Sequence, residues 1–156
     1  MGLLIAAGIL AACFLATWAV LRRPVRQIVE DARLEHARSL FHRHRERLEV
    51  RFISALDRSD SAERERWEDA NWHDEVVWAR DRQTHHLLAL TCVEFEPEPF
   101  GLSVGPRHAT AIFEFRDGHW CAQGKRLDEM RPDEAVGRFW RFETVFDSDR
   151  HPPRVG

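Results

Sequence analysis

A chain of 156 residues has room for one modest domain and an appendage. Its 44% hydrophobic and 31% charged residues suit a globular domain once the first two dozen residues are set aside. The net charge of -3 divides unevenly: Arg22 to Arg51 holds 9 Arg against 5 acidic residues, and the part from Phe52 onward carries -7. An acidic distal part argues against a nucleic-acid surface there.

The chain opens on an apolar run, Gly2 to Leu21, of twenty residues without a charge. As a helix it spans roughly 30 Å, the thickness of a bilayer core. Trp18 lies near one end, where an indole sits at headgroup level. Arg22, Arg23 and Arg26 follow at once. "LAAC" at Leu10–Cys13 resembles the bacterial lipobox, which would acylate Cys13. However, no basic residue precedes the run, and "FLATWAVL" continues it where a lipoprotein turns polar. A cleaved export signal lacks the same basic start. The expectation is a retained transmembrane anchor over 2–21. Positive charge on its C-terminal side places the following domain in the cytoplasm. Each of Arg22, Arg23 and Arg26 would gain roughly 1 kcal/mol beside anionic lipid headgroups.

Residues 22–58 read as a long juxtamembrane helix. Pro24 opens or kinks it, and no Gly or Pro follows until after Asp57. Leu34, Phe41, Leu48 and Ala55 recur at sevens, with Ala37, His44 or Arg45, and Phe52 between them. A parallel coiled coil, making a homodimer, and a helix packed on its own sheet both use such a stripe. The break at His44/Arg45 and the bulk of Phe41 and Phe52 favour the sheet. "HRHRER" reads as a solvated face, with Arg45 and Glu49 spaced as an i,i+4 pair.

Residues 59–147 read as a small α+β domain. Asp60 with Glu63 signals a second helix ending near Ala70, with Asn71 as its stop. "EVVWAR" and "LLALTCVEFE" predict strands joined around "DRQTHH". Pro97, Pro99, Gly101, Gly105 and Pro106 mark a loop. Asp117-Gly118 predicts a type I′ hairpin turn between alternating runs. Pro132, Asp133 and Glu134 start a short helix, "FWRFETVF" a last strand, and 148–156 a disordered tail. The fold class is therefore α+β: an anchor, a long basic helix, and a helix on a small antiparallel sheet. A long helix against a curved sheet resembles the layout of cystatin-like and NTF2-like folds. That resemblance is at fold level and carries no function.

A two-residue hairpin turn fixes a register: Arg116 faces His119, Phe115 faces Trp120, Glu114 faces Cys121, and Phe113 faces Ala122. Phe113, Phe115, Trp120 and Ala122 then share a buried face, with His119, Cys121, Glu114 and Arg116 opposite. His119 and Cys121, i to i+2 on one face, have the chemistry of a nucleophile pair or of two metal ligands, but two groups are too few for a site and a facing carboxylate works against a thiolate. No CxxC, HExxH or zinc-like Cys/His spacing occurs, and no phosphate-cradling glycine loop. "QGK" at Gln123–Lys125 has no acidic residue placed to complete a nuclease core. Cys92 and Cys121 are expected as free thiols in a reduced compartment, a cross-strand bridge being the alternative. No catalytic residue, metal ligand or cofactor is assigned. The expected role is binding or scaffolding at a membrane with an unidentified protein partner and no nucleic acid. Alternatives are a small ligand-binding module or enzyme with a pocket between helix and sheet, and a homodimer through the long helix.

Overall fold

The computed structural model describes residues 2–56, 61–96 and 107–145, with side chains from Val29 onward. Among the described residues it is an α+β protein with three helices and a curled five-stranded antiparallel sheet. α1 runs Gly2–Ala55, α2 Ser61–Glu68, β1 Asn71–Asp81 and β2 Leu87–Glu94. β3 (His108–Arg116), β4 (His119–Asp128), α3 (Pro132–Arg138) and β5 (Phe142–Thr144) follow. The side chains of the apolar run, the Asp60 cap, the Pro/Gly loop and the tail lie outside the described residues. Among the described residues no helix is long and apolar enough to cross a membrane.

The chain divides into two compact units, Met1–Leu40 and Phe41–Gly156. In the first, α1 is uninterrupted at Pro24, and Arg38 lies 4.0 Å from Glu35 one turn away.

In the second unit the sheet has the order β4-β3-β2-β1-β5. The part of α1 from Phe41 lies on one sheet face. Phe41, Leu48, Phe52 and Leu56 are buried, whereas Ala55 is exposed. The buried set thus ends on Leu56, in the bend just past α1, rather than on Ala55. Phe41 meets Trp78, Phe113 and Trp120 at ring-centroid distances of 5.6, 5.3 and 5.1 Å. Phe52 meets Trp67 of α2, Trp72 and Phe113 at 5.2, 5.7 and 5.6 Å. All six pairs are edge-on or tilted rather than stacked face to face, as the ring quadrupoles favour.

The hairpin register is as the turn predicts, with all four pairs in place. Asp117 and Gly118 both have positive φ, 52° and 82°, as a type I′ turn requires. β4 carries a second positive-φ glycine. Gly124 (φ 67°) passes so close to the end of α1 that a Cβ there would stand 2.9 Å from the Ala55 carbonyl oxygen. Two sequence boundaries shift. α2 ends at Glu68, and Asn71 begins β1 rather than stopping a helix. The cause is a bulge: between the pairs Trp72–Val93 and Val76–Thr91 the register slips, so "HDE" shows no alternation.

Candidate functional site

Side chains alternate across each strand, so the sheet has a second face. Its centre is apolar: Ala79, Leu88 and Leu90, packed by Val77, Ile112, Phe142 and Val136 of α3. Polar groups gather toward the two ends.

At one end is Glu114, 6% exposed. Its Oε1 accepts from Arg116 Nη2 at 3.1 Å and is in contact with His86 Nδ1, while Lys125 Nζ approaches Oε2 at 3.5 Å. Burial pushes this carboxyl up. The His86 and Arg116 hydrogen bonds and the Lys125 charge outweigh that and hold it below its usual range. Cys121 lies across from Glu114 and His119 across from Arg116, as expected. His119, however, places Nδ1 3.2 Å from the Asp117 carbonyl oxygen in the turn. The shared face carries a buried carboxylate, Glu114, in contact with His86, Arg116 and Lys125. Cys92 and Cys121 are free thiols.

Beside it, Asp81 closes the turn from β1 to β2. Oδ1 accepts from the Gln83 backbone N–H at 2.8 Å, and Oδ2 accepts from Arg141 Nε and Nη2 at 2.9 and 2.6 Å. Burial raises this carboxyl, but Arg141 and the turn N–H groups win and bring it down to about 2. Arg82 N–H donates to the Arg141 carbonyl at 2.9 Å, so the same contact ties β5 to β1.

At the other end the β1 bulge brings His73 onto the face of Cys92 and Glu94. One ligating atom from each of the three lies within 4.8 Å of the others. His73 Nε2 is 3.1 Å from Glu94 Oε2, yet it is enclosed and has no partner at hydrogen-bonding geometry. Glu94 Oε1 accepts from Arg131 Nη2 at 3.2 Å. Burial pushes the Cys92 thiol up, with the Arg131 charge opposing. Arg45 of α1 holds the bulge, donating to the carbonyls of His73 and, at 2.9 Å, Asp74. The i,i+4 pair with Glu49 is present at 2.8 Å. Arg45 is thus not on the solvated face that its charged neighbours suggest. No sequence motif marks this cluster. Its only local trace is Cys92 and Glu94 two apart on one strand, and His73 joins them through strand pairing alone.

Two surface features complete the picture. Trp140, between α3 and β5, is 69% exposed, with Phe139 beside it at 36%. An open groove of about 540 Å³ runs between α1 and α2, lined by Val50, Ile53, Ser54, Arg64 and Glu68. Comparison with protein-family models, with curated proteins and with solved structures finds no match to this chain.

Proposed function

We propose that this is a single-pass membrane protein whose α+β domain lies in the cytoplasm and binds a protein partner without turning over a substrate. The observation that carries the binding reading is the interior. Phe41, Phe52, Trp67, Phe113 and Trp120 are buried between helix and sheet. Aromatic rings occupy the space in which a ligand pocket would lie. The polar end around Glu114 is likewise engaged internally. What the domain offers outward is Trp140 with Phe139, the residue types that anchor interfaces.

Support for the anchor is the uncharged stretch Gly2–Leu21, helical from its first residue and followed directly by Arg22, Arg23 and Arg26. Anionic headgroups would be the neighbours of these arginines.

Two experiments test the reading. Reporter fusions at Gly156 should give a fluorescent cytoplasmic GFP and an inactive periplasmic phosphatase, and the reverse pair would sink the topology. Pull-down of the full chain from detergent extracts should recover a reproducible partner that Trp140→Ala loses. A measured turnover with no such partner would overturn the binding role.

A further inference from the structure

We propose that His73, Cys92 and Glu94 form a binding site for a divalent cation of the zinc class, with one coordination position left open. This does not rest on the partner-binding reading, and either can fail alone.

The donor set points to the class. An imidazole nitrogen, a thiol sulfur and a carboxylate oxygen together suit zinc or cobalt, whereas calcium and magnesium take oxygen ligands. The spacing fits as well. Around a tetrahedral ion with bonds of about 2.0–2.3 Å, ligand atoms stand roughly 3.3–3.7 Å apart. The three atoms here already lie within 4.8 Å of one another, so small side-chain rotations bring them onto an ion.

The surroundings favour it further. His73 Nε2 is an enclosed ring nitrogen that stands 3.1 Å from Glu94 Oε2 but outside hydrogen-bonding geometry. A cation would satisfy it. Arg45 fixes the backbone from which His73 projects, and Arg131 occupies one oxygen of Glu94 while the other faces His73. Outer partners of this kind orient metal ligands. Arg131 is also a positive charge near the proposed ion, but its side chain is 60% exposed and water screens it. On binding, the Cys92 thiol proton leaves to solvent and the sulfur becomes the charged ligand. His108 occupies the register position opposite Glu94 on β3, from which a fourth ligand would come if water does not supply it.

Cobalt titration of the chelator-treated full chain in detergent tests the site. One equivalent should produce a thiolate-to-cobalt charge-transfer band in the near ultraviolet. Cys92→Ser should abolish the band and Cys121→Ser should keep it. In zinc competition, His73→Ala should weaken binding by more than the about 10- to 100-fold that loss of an outer partner costs. Zinc should raise the melting temperature of the wild type and leave that of Cys92→Ser unchanged. Should Cys92→Ser not fold, Glu94→Gln at its half-exposed position carries the melting-temperature comparison: zinc should raise its melting temperature less than that of the wild type. A wild type without the band, a band that survives Cys92→Ser, or zinc affinity indifferent to both His73→Ala and Glu94→Gln would overturn the proposal.

Discussion

Replacing Asp81 with Asn keeps the shape of the side chain and an oxygen for the Gln83 N–H, but removes the charge that Arg141 grips. The magnitude follows from the carboxyl itself. It falls from 3.8 to about 2 on folding. At about 1.36 kcal/mol per pKa unit, that gap is worth roughly 2.4 kcal/mol at neutral pH. Asp81 is 5% exposed but Arg141 is 45% exposed, so solvent screens the cation. About 1–2 kcal/mol is the expected cost of Asp81→Asn at pH 7. The sign is set by the direction of the shift. A lowered carboxyl contributes fully above its unfolded value and loses that contribution as pH falls from about 4 through about 2. Urea denaturation of the full chain in detergent at several pH values gives the difference between wild type and variant. The gap should shrink by about half between pH 7 and pH 3. A gap that stays constant over this range would refute the electrostatic account and leave only a loss of shape.

Two further substitutions probe the helix–sheet interface. Gly124→Ala should destabilise by about 2–4 kcal/mol, since it combines a left-handed backbone with a Cβ driven against the Ala55 backbone. Gly118→Ala has the same kind of strain but open space around it, and thermal melts should show a clearly smaller loss. Phe52→Ala should cost about 3–5 kcal/mol and alter tryptophan fluorescence, because Trp67 and Trp72 both pack on that ring. Val50→Ala, two residues away and 64% exposed, should stay within about 0.5 kcal/mol of wild type.

Legibility in the sequence followed the range of the interaction. Asp117-Gly118 is a local signal, and the register it sets places eight side chains on their faces. The apolar stripe of α1 is also local, and it names Phe41 and Phe52 as the residues that meet the sheet. The sevens mislead at Ala55, which is exposed, while Leu56 in the bend past the helix end is buried instead. The His73 cluster was not readable, for two reasons. Pairing between β1 and β2 across the bulge leaves no spacing rule, and the bulge erases the alternation that would reveal which face His73 takes. His86 with Glu114 was hidden likewise, since their neighbourhood comes from β2 pairing with β3. Arg45 shows a third limit. Its position on the stripe is shared in the sequence with His44, and its place in a run of charges hides which of the two reaches a strand.

That arginine has a consequence for how copies of the domain behave toward one another. β5 pairs with β1 only at Ala79–Asp81, leaving the earlier part of β1 as a border strand among the described residues. Such a border is a template on which another chain can add a strand. Arg45 occupies two of its carbonyls, and the bulge bends the remainder out of line. Copies crowded together at high concentration would therefore find this border poorly suited to stacking. The side chain that aims His73 inward also helps to keep neighbouring domains separate.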